Sequence, residues 1–283
     1  MADPLPIPFP PSPSRAVLQD QITAALPPEP ELVLVTDLDG TLLGGEPSWR
    51  QALYGWLRQH RLEVLHIYCT GRQLASIEAL LADERSLGLP HPHLVIGDVG
   101  CTVACGTSLR TVPAMVDPIE ARWQGLPERL LPLMEGLPGV EPQPIHTERR
   151  LAYTLTGPGP GTEHMEAIRS QGVDVIVSDD RYLDVLPPGV NKGSTLLALL
   201  EWLEIGHGQV VTAGDTLNDL AMFETGLDGV MVGNAEPALV EKVEAAGFPR
   251  LYRARGEGCA GIVEGLHHFG YGPLLADLPV PAA

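Results

Sequence analysis

Asp37-Leu38-Asp39-Gly40-Thr41 sets two carboxylates two positions apart on a chain that turns at a glycine. Both can face one site, and their mutual repulsion then needs a compensating divalent cation. Taken alone, the pair also reads as an acidic strand-to-loop turn. Cys69-Thr70-Gly71-Arg72 offers a hydroxyl, a glycine amide and a helix start, which together make an anion site. Asn191-Lys192-Gly193-Ser194 opens a further helix and brings an ammonium, or else a surface lysine. Gly214-Asp215-Thr216-Leu217-Asn218-Asp219 sets two carboxylates four apart. These are hard oxygen ligands suited to Mg²⁺, or the acids of a helix cap. Together the four stretches hold a carboxylate pair, a donor cluster of phosphate size, a lysine and an acidic metal loop. That is the inventory phosphoryl transfer requires.

Such groups act together only if the fold brings them to one edge. ELVLVTD (31–37), EVLHIYCT (63–70), HLVIGD (93–98), QVVTAGD (209–215) and GVMVG (229–233) are short apolar runs with strand character. Helical stretches at Trp49–His60, Gln73–Leu87, Gly193–Glu204, Asn218–Thr225 and Pro237–Ala246 alternate with them. This predicts an α/β fold, a Rossmann-like parallel sheet core with helices on both faces, whose carboxyl edge collects ligands. Between 112 and 186 the texture changes. One long helix is expected at Pro118–Glu135, another at Glu163–Gln171, and strands at LAYTLTG (151–157), VDVIVSD (173–179) and RYLDVLP (181–187). The expected organisation is a Pro-rich N-terminal arm (1–30), a discontinuous core (31–111 and 187–283) and a smaller α+β cap (112–186) inserted between the second and third of the four stretches.

DLDGT, Thr70 after an apolar strand, Lys192 and GDTLND, in that order over residues 37–219, resemble the four motifs of the haloacid dehalogenase-like hydrolase superfamily. The insertion is similar to its type II (IIB) cap, as in the Cof-like and sucrose-phosphatase-like branches. LVIGDVGCTV and YLDVLPPGVNKG resemble sucrose-phosphate phosphatases and the related phosphatases for glucosylglycerol phosphate and mannosylfructose phosphate. The resemblance implies a Mg²⁺-dependent phosphatase working through an aspartyl-phosphate. Asp37 would be the nucleophile and Asp39 the general acid/base. Thr70, Gly71, Lys192 and Asn218 would hold phosphate. Asp37, Asp215, Asp219 and the Asp39 carbonyl would hold the metal. In the cap, His146, Arg149, Arg150, Asp180 and Arg181 are candidates for sugar hydroxyls, against a reading as ordinary surface residues. A phosphomutase of the same superfamily is the enzymatic alternative, although Gly40 to Cys69 is too short for a nucleophile-side cap domain. A catalytically idle phospho-metabolite binding module is the other.

The 283 residues carry 18 Lys plus Arg against 36 Asp plus Glu, a formal charge of −18. That field repels nucleic acid and leaves a small phosphorylated metabolite, a sugar phosphate, as the expected partner. A separate glycosyltransferase or synthase is the implied functional partner. The chain shows neither a secretory signal nor an apolar run of membrane-spanning length, so no membrane partner and a reduced cytoplasmic setting are expected. Cys101 and Cys105 lack a second pair at zinc spacing and read as small structural thiols. His66, Trp123 and Trp202 read as core residues.

Overall fold

A computed structural model describes residues 17, 20–83, 88–146, 148–157 and 159–279. In chain order the elements are β1 (Leu32–Thr36), α1 (Pro47–Gln59), β2 (Val64–Cys69), α2 (Leu74–Ala82), β3 (Leu94–Gly97), β4 (Thr102–Cys105), α3 (Pro113–Trp123), α4 (Pro127–Met134), β5 (Val140–Pro142), β6 (Leu151–Leu155), α5 (Thr162–Arg169), β7 (Asp174–Ser178) and β8 (Tyr182–Leu186). There follow α6 (Lys192–Trp202), β9 (Val210–Gly214), α7 (Leu220–Phe223), β10 (Asp228–Met231), α8 (Pro237–Ala246), β11 (Leu251–Arg253) and α9 (Gly258–His268). Seven strands form one sheet in the order β11-β10-β9-β1-β2-β3-β4, and four form a second in the order β5-β6-β8-β7.

Every residue of β1 and β2 is buried, because helices cover both faces of the larger sheet. Successive side chains of β1 enter opposite layers. Leu32 and Leu34 pack with Leu53 and Trp56 of α1 and Ile262 and Val263 of α9. Val33 and Val35 pack with Leu196, Leu199 and Trp202 of α6. Of the Pro-rich arm, most lies outside the described residues. Ile22, near its end, is buried in the second of these layers.

The strands of the larger sheet expected from the sequence pair in parallel, and β4, an edge strand not expected, runs antiparallel to β3. Two expectations about elements need correction. The single helix expected at Pro118–Glu135 is two, α3 and α4, parted where Gly125 takes a φ of 78° and Pro127 begins the next helix. The helix expected from Gln73 ends at Ala82, and 84–87 of that stretch lie outside the described residues.

The second sheet is antiparallel throughout. It packs with α4 and α5 around Leu130, Met134, Ile168, Leu183 and Val185. Helix α3 belongs to both bodies: Val112 before it and Met115 on its first turns pack against the larger sheet, whereas Trp123 at its end packs with the smaller.

His66 is buried, with Nε2 3.1 Å from the Thr36 hydroxyl, and its backbone N–H donates to Nδ1 of His93 at 3.0 Å. Burial holds the His66 ring down to about 3 and that of His93 to about 4, so both are neutral. Cys69, Cys101, Cys105 and Cys259 are buried free thiols. No helix among the described residues is long and apolar enough to cross a membrane.

Candidate active site

Asp37, Thr70 and Asp215 each directly follow a strand, β1, β2 and β9, which are neighbours in the sheet. Their side chains therefore converge on its carboxyl edge. Lys192 joins them as the first residue of α6. Asn191 pins that helix start, its side chain accepting from Ser194 N at 2.8 Å while the Ser194 hydroxyl accepts from Asn191 N at 3.0 Å. Gly40 has a φ of 78°, and a Cβ there would lie 2.0 Å from Oδ2 of Asp215. Only glycine lets the first motif lie so close to the fourth. Thr41 fastens the same approach, its hydroxyl donating to Asp215 Oδ1 at 2.5 Å.

Lys192 has no solvent exposure and donates to Asp37 Oδ1 at 2.7 Å and Asp219 Oδ1 at 2.6 Å. The other oxygen of Asp219 accepts from the backbone N–H of Asp215 (2.9 Å) and Thr216 (3.0 Å), which shapes the acidic loop. Oxygens of Asp37, Asp215 and Asp219 lie within 4.8 Å of one another. Burial pushes the Asp37 carboxyl well up, an effect that Lys192 opposes and Asp219 adds to. Burial likewise raises Asp215, followed by repulsion from Asp37. For Lys192, burial works against its charge, but Asp219 and Asp37 outweigh it and hold the ammonium above its ordinary range. Three buried carboxylates facing one ammonium leave an excess of negative charge. Hard oxygen donors so spaced fit a divalent cation such as Mg²⁺.

Thr70 is 1% exposed and lies beside Gly71; a Cβ on Gly71 would sit 3.8 Å from Nδ2 of Asn218. Asn218 Oδ1 is buried without a hydrogen-bond partner among the described residues, as expected of a group that awaits a ligand. These residues floor a cavity of about 560 Å³. The insertion roofs it with Gln143, Ile145, Ser178, Asp179, Tyr182 and Asp184.

The core residues singled out from the sequence thus come together. The cap residues divide. Arg150 lines the cavity, yet its guanidinium spans the two bodies, donating to Asp98 Oδ1 (3.1 Å), to Asp184 Oδ1 and to the Gly71 carbonyl (2.8 Å). Arg149, also buried, donates to the Cys101 carbonyl (3.0 Å) and the Thr102 hydroxyl (3.2 Å). Neither Arg149 nor His146, Asp180 or Arg181 lines the cavity; the last three are exposed. Arg181 instead lies 5.4 Å over the Tyr182 ring.

Sequence reasoning missed Arg72 as a site residue. Its guanidinium forks the Asp39 carboxylate through Nε (2.7 Å) and Nη2 (2.6 Å), while Nη1 donates to Ser76 (2.8 Å). A cation two residues after Thr70, at the same sheet edge, was the available signal. The cavity-lining Gln143, Ser178 and Tyr182 sit at ordinary strand ends and turns, and nothing local marks them.

A mostly parallel sheet with this acidic edge, covered by an inserted α+β body, is the architecture of the haloacid dehalogenase-like hydrolases of subclass IIB. A subclass IIB sugar phosphatase shares the fold at a TM-score of 0.54, with 16% identity over 84% of this chain and 99% of that one. More narrowly, residues 30–270 match the model of the sucrose-6F-phosphate phosphohydrolase family, and the chain belongs to that family. It is 40% identical over 241 residues to a glucosylglycerol-phosphate synthase of Pseudomonas anguilliseptica, covering 85% of this chain but 31% of that protein. It is 30% identical over 253 residues to a mannosylfructose-phosphate phosphatase of Agrobacterium fabrum, covering 87% of this chain and 99% of that one. The X-ray structure of a sucrose-phosphatase from Synechocystis, in complex with sucrose and phosphate, is similar at a TM-score of 0.77 and 28% identity, over 85% of this chain and 98% of that one. The chain therefore spans about a third of the first relative and nearly all of the second.

Proposed function

We propose that the chain is a phosphoric monoester hydrolase that removes phosphate from a sugar phosphate or glycosyl-polyol phosphate. The substrate would be of the sucrose-phosphate, glucosylglycerol-phosphate or mannosylfructose-phosphate type. The observation that carries this reading is Asp37 held by buried Lys192 beneath a cavity whose roof bears amide, hydroxyl and phenol groups. Such groups suit a neutral polyol. The names of the relatives point the same way.

Asp37 attacks phosphorus in line, and the bond from phosphorus to the sugar oxygen breaks as Asp39 gives that oxygen a proton. Asp39 then takes a proton from water, whose oxygen attacks the phosphoryl group and returns Asp37 as a carboxylate with inorganic phosphate released. Thr70, the Gly71 amide, Asn218 and Lys192 hold the phosphate oxygens through both steps. Mg²⁺ would be held by Asp37, Asp215 and the Asp39 carbonyl, with Asp219 direct or through water, and supplies charge neutralisation at the transferring group. Arg72 orients Asp39. The reading carries a cytoplasmic location, in keeping with four free thiols, and a glycosyltransferase or synthase that makes the substrate.

The test is Mg²⁺-dependent phosphate release by the purified chain across a panel of sugar, disaccharide and glycosyl-polyol phosphates, with Asp37→Asn alongside. At least one glycosyl phosphate should be preferred over generic esters, and Asp37→Asn should lose about 10³-fold or more in turnover. A variant that kept substantial activity would remove Asp37 as nucleophile.

A further inference from the structure

Among the polar contacts that tie the inserted body to the core, two sets border the cavity. Arg149 and Arg150 make the first, buried at the root of the insertion. The second lies at the tip of the β7–β8 turn. Glu236, just before α8, accepts through Oε2 from the backbone N–H of Asp179 at 2.7 Å, and through Oε1 from that of Leu217. Its own N–H donates to the Asp215 carbonyl at 2.9 Å. Asp179 is in the roof of the cavity, and Leu217 is in the acidic loop that carries Asp215 and Asp219. One side chain therefore joins the roof to the metal loop.

The turn is shaped for this contact. Asp179 and Asp180 have φ values of 54° and 46°, a conformation that residues other than glycine seldom adopt. The Asp179 N–H thereby meets the core. The side chains of the same two residues oppose the contact. Burial, then repulsion from Asp179 and Asp180, pushes the Glu236 carboxyl up against the pull of the two backbone donors. On the roof side the contact is a single backbone N–H at an exposed turn. The arginines at the root are instead buried, and each makes several hydrogen bonds.

We propose that Glu236 is a positioning residue that latches the insertion shut over the cavity and, with the same carboxylate, holds the Asp215–Asp219 loop. Closure over the leaving group and ordering of the metal loop are then one event. Only the kinetic consequence rests on the phosphatase reading.

The test places spin labels at R169C on α5 and E241C on α8 of the full chain; both positions are exposed, and the native thiols are buried. Distances are measured with Mg²⁺ and inorganic phosphate present, for the parent, E236A and E236Q. Glutamine offers one acceptor to two donors, so it removes half of the latch without removing its bulk. The parent should give a dominant short distance, and the ratio of short to long populations should fall about tenfold in E236A and by less in E236Q. KM for the best glycosyl phosphate should rise about tenfold in E236A, with a smaller change for para-nitrophenyl phosphate, which has little for the roof to grip. If both variants give the parent's distance distribution, the latch is overturned. If the parent hydrolyses no ester and the distances still shift, the latch stands and the phosphatase reading falls.

Discussion

Lys192 donates to Asp37 and Asp219 from a position with no solvent exposure, and among the described residues its ammonium is the positive charge in direct contact with that cluster. Lys192→Met should therefore do more than abolish phosphate binding. Removing one partner from a buried charge cluster costs about 3–5 kcal/mol, and a loss of that size is expected in denaturant unfolding without metal. Mg²⁺ should return part of it, because a cation among Asp37, Asp215 and Asp219 replaces the missing charge. Equal stability of variant and parent without metal would contradict the electrostatic account. Lys192 and the four aspartates were legible as a cluster because each stands at a strand end or helix start, where an apolar run gives way to polar residues. The Arg72–Asp39 fork was not legible as a pair, since β2 and its neighbours bring together residues far apart in sequence. Arg149 and Arg150, read from the sequence as candidates for a ligand, fasten their segment to Cys101, Thr102 and Asp98, and of the two only Arg150 lines the cavity.

At the scale of elements, β1, β2, β3, β9 and β10 announced themselves as apolar runs because both sheet faces are covered. β4, β5 and β11 did not. They are three or four residues long and lie at sheet edges, too short for a period to show. The division of α3 from α4 hangs on Gly125 and Pro127, inside a stretch whose apolar spacing otherwise suits one helix. The roof of the cavity depends on such short pieces: Gln143 follows β5 and Tyr182 begins β8. Their side chains, rather than the arginines, should read the sugar. Gln143→Ala and Tyr182→Ala should each raise KM for the preferred glycosyl phosphate by about 5–100-fold, the loss of one or two buried hydrogen bonds. Hydrolysis of para-nitrophenyl phosphate should change far less. Equal losses on both substrates would move recognition into the core loops.

For the molecule as a whole, two buried groups of opposite tendency set the dependence on pH. His66 and His93 titrate near 3 and 4 in the folded chain, below their unfolded value of about 6.5. Their contribution is complete above about 6.5 and is lost as pH falls, because the unfolded chain takes up protons the folded one refuses. Each histidine should remove up to about 1.4 kcal/mol per pH unit below that point. Asp37 and Asp215 are raised above the carboxylate range, so without metal the folded chain holds protons the unfolded one has released. Stability from that source falls as pH rises above about 4. Mg²⁺ relieves this term alone. Its increment in melting temperature should be clearly larger at pH 8 than at pH 5.5, and equal increments would contradict the assignment of the raised carboxyls to the metal site.

The pairing of β1 with β9 sets Val33 against Val210, and everything between, including the inserted body, is looped out by that one contact. Closing so long a loop is slow, and it comes late for a chain whose other neighbours pair locally. Asp37 and Asp215 leave those same two strands, so the acidic cluster proposed to hold Mg²⁺ does not exist until the last of the central pairings is made. Mg²⁺ then has nothing to bind in the transition state for refolding. In stopped-flow experiments it should slow unfolding by the full equilibrium increment and leave the refolding rate unchanged. Faster refolding with Mg²⁺ would place the β1–β9 closure before the rate-limiting barrier.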